Sequence, residues 1–396
     1  MRYFLHTLGN GRASKRYSIH SSLRKLCTTG RGILIRAARC FDASMLHYQP
    51  AKLGVADLSS PSWGRYVAAV LFEFHKTFPA LHGMYLLIHS EIPSGSGVSS
   101  SAALEVGVAL AVQATNGISL TEVGTAALCK SAENGPFINS PCGMLDQASI
   151  TLPMAGEVLF FDFGERATPF PKVQRLPVDF AKSELQFVLA VDQSVRRELA
   201  TSGYSARRRS CDLGVTLASK FLGRPLSSLS EVTLQEFSDI AGKLEVHSGK
   251  ETRNRVEHVI SENCRVVKAR EAILTADFVA LGNLLTASGK SALDLYTVDE
   301  GTPELTFLVQ ESGRIDGVLG ARNMGGGFAA LSLSLVATPA LPQFSETLNE
   351  RYLRAWKRPL TFLPFSPAHH AELLEMTSEL SAQADTGDGK PITKRT

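Results

Sequence analysis

Several absences narrow what the 396-residue chain can be. No stretch approaches the ~18 consecutive apolar residues that read as a membrane-spanning helix, so a membrane is excluded as its setting. Surplus charge is small, since 41 Lys and Arg stand against 38 Asp and Glu for a formal net charge of +3. A nucleic-acid binder carries a strong positive surplus, and a net charge this modest disfavours nucleic acid as a partner. The six cysteines (27, 40, 129, 142, 211, 264) fall without C-x-x-C spacing or attendant histidines, which leaves neither a zinc site nor a disulfide framework. Reduced thiols in a cytoplasmic, monomeric protein are the expectation.

One absence is local. Met1 to Cys40 holds nine Lys or Arg and no Asp or Glu. That composition also suits a transit peptide, but the apolar periodicity is weak and the stretch runs straight into fold-like sequence. Residues 1–30 are therefore read as a divergent basic N-terminal segment. At this length the rest has room for two domains with a substantial core. Residues 377–396 are polar and low in hydrophobicity, the composition of a disordered tail.

What is present centres on Pro93 to Ala103, P-S-G-S-G-V-S-S-S-A-A, where a glycine-rich loop runs into an apolar helix. Glycine at 95 and 97 permits turns that a side chain forbids, so successive N–H groups can face an anion. Ser99, Ser100 and Ser101 open the helix, whose unpaired N–H groups and positive dipole end favour phosphate. The same letters also suit a plain serine-glycine turn. Sharper alternatives fail on spacing. A dinucleotide fingerprint needs glycine where Ser100 stands, a Walker loop needs a Gly-Lys-Ser/Thr ending, and a nucleophile elbow needs glycine where Ser101 stands.

Around the loop, Trp63 to His75 has helical spacing and Met84 to Ile92 alternates as a strand that delivers the chain to the loop. Ser101 to Val112 is apolar almost all round, which predicts a buried helix and a rigid loop before it. Ser119 with Glu122 has the pattern of a capping box for a second helix ending near Glu133. From Glu133 to Gln147 turn formers dominate, predicting an irregular loop with a carboxylate near each end. Strands are expected at Glu157 to Phe163, Leu185 to Val191 and around Leu331 to Leu335, and two amphipathic helices over 256–287. Arg207 to Arg209 read as a charged helix face.

The loop resembles the Pro-x-x-x-Gly-Leu-x-Ser-Ser-Ala-Ala motif of the GHMP small-molecule kinases, with Val98 for leucine, and its triple serine is most similar to the galactokinases among them. Pro141-Cys142-Gly143-Met144-Leu145-Asp146-Gln147 resembles that branch's Pro-Cys-Gly-Ile-Met-Asp-Gln. Tyr204 and Arg207-Arg208 fit its Ser-Glu-Tyr-x-x-Arg-Arg segment, and G-A-R-N-M-G-G-G-F-A-A from Gly320 resembles its third motif, which closes over the phosphate loop. The resemblance implies an α+β, two-domain GHMP kinase fold. An N-terminal nucleotide-binding domain would take residues 31–195 and a ferredoxin-like C-terminal domain 196–376, with the active site between them. It implies ATP as phosphoryl donor, Mg²⁺ as metal and a sugar hydroxyl as acceptor, most closely C1 of galactose. The backbone of Gly95, Ser96, Gly97, Val98, Ser99, Ser100 and Ser101 would hold the phosphates. Ser101 and Glu133 would hold the metal, Asp146 would be catalytic, and Tyr204 and Gly325 would wall the sugar.

The resemblance stops before Arg31. The family carries Gly-Arg-x-Asn-Leu-Ile-Gly-Glu-His-x-Asp-Tyr there, with its catalytic arginine and sugar-gripping side chains, whereas only Gly11-Arg12 match here and no carboxylate precedes Asp42. Those roles are carried over to no residue. A shifted reading frame, a kinase for another sugar such as arabinose or N-acetylgalactosamine, and a catalytically weak regulatory relative stay open at this point.

Overall fold

The computed structural model describes residues 4–7, 33–38, 45–48, 62–90, 92–93, 95–140, 142–163, 170–195 and 203–373. Gly11-Arg12, most of the basic N-terminal segment and the polar tail lie outside them. The chain divides into two compact units, one drawn from Arg2–Ser90 and Leu104–Asn139, the other from Glu91–Ala103 and Ser140–His370.

The first unit holds β1 (Phe4–Thr7), β2 (Ile33–Ala38), β3 (Met45–Tyr48), α1 (Ser62–Thr77), β4 (Tyr85–His89), the greater part of α2 (Ser100–Asn116), and α3 (Glu122–Asn134). Its strands form one sheet in the order β1-β4-β2-β3, with β2 parallel to β4 and the outer pairs antiparallel. On α1, Val67, Val70, Leu71 and Phe74 recur at helical spacing and are fully buried, the stripe that the periodicity predicts. Phe72 meets Phe137 edge to face at 5.3 Å. The α2 helix is buried almost all round from Ala102 to Val112, as its composition requires. At the start of α3 the structure corrects the expected cap. Thr121, not Ser119, accepts the N–H of Gly124 at 3.0 Å. The reason lies on α2, where Gln113 Oε1 accepts the N–H of Leu120 at 2.9 Å and holds that stretch outside the helix.

The second unit begins with the phosphate-loop segment and continues through α4 (Leu145–Thr151), β5 (Glu157–Asp162), β6 (Lys172–Pro177), β7 (Leu185–Val191), α5 (Tyr204–Leu222), α6 (Leu234–Leu274), α7 (Phe278–Asp294), α8 (Pro303–Ser312), β8 (Val318–Asn323), β9 (Leu331–Ala337), α9 (Leu341–Trp356) and β10 (Thr361–Phe365). An antiparallel sheet ordered β10-β7-β9-β8 is its frame. One set of buried side chains joins Val188, Ala190 and Val336 of the sheet to Leu308 of α8 and Phe344, Leu348 and Tyr352 of α9. Another joins Leu185 and Leu335 to Ala272 of α6 and Leu281 of α7. Alternation along β7 and β9 feeds both, so the sheet is covered on both faces. The α7 helix lies directly on β8, where a Cβ on Gly282 would stand 2.3 Å from the Leu319 carbonyl oxygen. The α6 helix leaves helical geometry at Gly249, with φ of 81°.

Candidate active site

Left-handed backbone recurs along the glycine-rich loop, with φ of 72° at Gly95, 83° at Gly97 and 56° at Ser99. Such alternation turns successive N–H groups toward one side, the arrangement that makes an anion nest. Ser96 is buried and its hydroxyl donates to the Pro93 carbonyl at 2.9 Å, closing the turn from inside. Val98 is buried. The Ser99 carbonyl accepts the N–H of Ala103 at 3.1 Å, so α2 starts directly behind the loop with Ser100 and Ser101 half-buried in its first turn.

The third glycine-rich stretch lies against this loop. A Cβ on Gly97 would stand 3.3 Å from Ala329 Cβ and 3.7 Å from Leu331, and one on Gly325 would stand 3.9 Å from the Gly97 carbonyl oxygen. Gly325, with φ of 61°, is held by Asn323, whose side-chain amide donates to its carbonyl at 3.1 Å. Two stretches more than 220 residues apart in sequence therefore lie against each other at Gly97.

Asp146 belongs to the same unit and is exposed, in the first turn of α4. The loop expected over 133–147 thus ends in a short helix. Tyr204 is the first residue of α5. Glu133 belongs to the other unit, near the end of α3, and is buried. Burial, with the nearby carboxylates of Glu105 and Glu133, pushes the Cys129 thiol well up, so Cys129 stays protonated at neutral pH.

Arg207 departs from the expected charged face. Arg208 and Arg209 are exposed, and Arg208 pairs with Asp212 at 3.1 Å, but Arg207 is buried. The signal was in the spacing, because Arg207 shares a helical face with Cys211, Gly214 and Ala218, all turned inward. His258 of α6 is buried as well. Its Nδ1 lies 2.9 Å from Ser291 Oγ and its ring 4.6 Å from that of Tyr296.

The residues suit a nucleotide phosphate and its metal. Glycine is needed at 97 because a side chain would press on Ala329, and backbone N–H groups are the donors left to face a ligand. A serine hydroxyl and a carboxylate are hard oxygen donors of the kind Mg²⁺ takes. Among the described residues no group of three or more His, Cys, Asp or Glu is arranged to hold a metal by itself.

Residues 65–153 match the family model of the GHMP kinases N terminal domain. Galactokinase of Thermotoga petrophila is 31% identical over 300 residues, covering 76% of this chain and 79% of its own. The chain belongs to the galactokinase branch of the GHMP kinases. Galactokinase of Chloroflexus aggregans is 34% identical to this GHMP kinase over 293 residues, or 73% of this chain and 70% of the relative. In fold, the kinase is similar to the crystal structure of Lactococcus lactis galactokinase complexed with galactose, with a TM-score of 0.77 over 87% of this chain and 84% of that one at 23% identity. A mevalonate kinase structure gives a TM-score of 0.55 over 86% and 88%. The α+β fold expected from the motifs is the observed one. Among the described residues no helix is long and apolar enough to cross a membrane.

Proposed function

We propose that this GHMP kinase transfers the γ-phosphoryl group of MgATP to the C1 hydroxyl of galactose. The observation that carries the reading is the identity to galactokinases over about three quarters of the chain, together with the family model that spans the phosphate loop and Asp146. The loop geometry supports it, because a nest of N–H groups at a helix start is suited to the β- and γ-phosphates.

Each residue then has a task. Backbone N–H groups from Gly95 to Ser101 bind and orient the triphosphate. Ser101 and Glu133 are the residues that would hold Mg²⁺, which would supply positive charge against the phosphoryl oxygens. Asp146, exposed on its helix, accepts or orients the proton of the attacking hydroxyl, while Tyr204 and the Gly325 turn wall the acceptor. Phosphoryl transfer passes through a loose transition state, so positioning and charge neutralisation supply most of the rate. Among the described residues Cys129, Cys142, Cys211 and Cys264 are free thiols.

Coupled ADP release with galactose, arabinose and N-acetylgalactosamine tests the reading. Galactose should give the highest kcat/KM, and Asp146→Ala should abolish turnover while nucleotide still binds. Turnover with another sugar alone would overturn galactose as substrate, and full activity in Asp146→Ala would overturn the role of that carboxylate.

A further inference from the structure

Arg207 is among the most completely buried large side chains of the protein, and its contacts connect three segments remote in sequence. Its Nε donates to the Tyr296 carbonyl at 2.7 Å, and its Nη2 donates to the Thr297 carbonyl, to Thr297 Oγ1 at 2.8 Å and to Glu300 Oε2 at 2.9 Å. The guanidinium also covers the Phe328 ring at 4.6 Å. It passes so close over Gly203 that a Cβ there would meet Nη1 at 2.1 Å. A buried charge is costly, and packing α5 alone would need only an apolar residue of similar volume. The planar fork does what such a residue cannot, since it binds several oxygens of one turn and an aromatic face together.

The turn it binds carries the next contact. Val298 accepts the N–H of Phe328 at 2.8 Å, and Gly327, with φ of 79°, lies so tightly on Val298 that a Cβ would meet it at 2.4 Å. Phe328 itself has a φ of 61°, a left-handed conformation that a bulky residue adopts only where its surroundings hold it. The stretch so held, Gly325 to Ala329, is the one that lies against Gly97.

We propose that Arg207 is a positioning residue for the phosphate loop. It fixes the 296–300 turn, this turn seats Gly327 and Phe328, and the seated stretch forms the wall that sets the backbone of Gly97. The inference rests on the kinase reading for its ligand, and it assigns Arg207 no contact with that ligand.

Equilibrium binding of a fluorescent N-methylanthraniloyl-ADP with Mg²⁺ to the full chain tests it without requiring turnover. Arg207→Met should raise the Kd about tenfold through misplacement of the loop. Arg207→Lys should not restore affinity, because an ammonium keeps the charge and loses the fork. Leu244→Ala, in the separate core between α5 and α6, should lower thermal stability and leave the Kd unchanged. If Arg207→Met does not fold, Phe328→Leu decides, since it removes the ring and leaves the arginine with its oxygens. Wild-type Kd in folded Arg207→Met or Phe328→Leu would reduce Arg207 to a structural residue and overturn the proposal. Wild-type protein that does not bind the probe would instead sink the nucleotide reading itself.

Discussion

At Gly97 two requirements coincide: a φ of 83° that favours glycine, and a Cβ position 3.3 Å from Ala329. Gly117, with φ of 62° and nothing within 4 Å of its Cβ position, has the first requirement alone. Alanine at either site should cost about 1 kcal/mol of stability from left-handed strain, read by urea denaturation. Only Gly97→Ala should also weaken nucleotide binding, because its methyl group pushes the loop off the Gly325 stretch. Wild-type affinity in Gly97→Ala would mean that this loop does not cradle the phosphates. The pair separates backbone strain from contact at the site, which a single substitution does not.

Among the elements, α6 and α7 carry a titration that the fold makes costly. His258 is buried between them, and burial lowers its pKa to about 4, with Glu262 opposing and Arg265 and Arg322 reinforcing the shift. The folded state therefore binds fewer protons than the unfolded chain between pH ~6.5 and ~4, so stability falls as pH falls through that window. The full loss from this one group is about 3 kcal/mol. Unfolding free energy measured across the window should fall less steeply in His258→Gln, and equal slopes would show that His258 does not carry the effect. The same scale explains what was legible in the sequence. Gly95, Gly97, the serine triplet and the Gly325 stretch stand out because few residue types satisfy left-handed turns and close backbone approach. The α1 and α2 helices follow from apolar spacing. The α4 helix did not, being short and following a run of turn formers, and β6 did not, because most of its residues face solvent and leave little alternation. Arg207 was hidden by its neighbours Arg208 and Arg209, since a triple arginine reads as surface until the helical face is traced through Cys211 to Ala218. Contacts such as Gly97 on Ala329 depend on tertiary closure and have no local signature.

For the molecule as a whole, nucleotide binding should be visible as stability. A ligand that binds only the folded chain stabilises it by RT ln(1 + [L]/Kd), about 2.7 kcal/mol at a hundred times Kd. The entropy of unfolding grows with chain length, so in a protein of 396 residues that free energy moves the melting midpoint by only about 3 °C. Saturating MgADP should produce such a shift. ADP with EDTA should produce a smaller one, because the nest of N–H groups still binds phosphate while the charge between the phosphoryl oxygens is no longer neutralised. Glu133→Gln should cut the Mg²⁺-dependent part of the shift and leave the ADP-only part in place, as expected of a carboxylate that acts through the metal. Its measurement has two decisive outcomes. An EDTA-insensitive shift would remove Mg²⁺ from the site, and an unaltered Mg²⁺ increment in Glu133→Gln would move the metal's carboxylate away from α3.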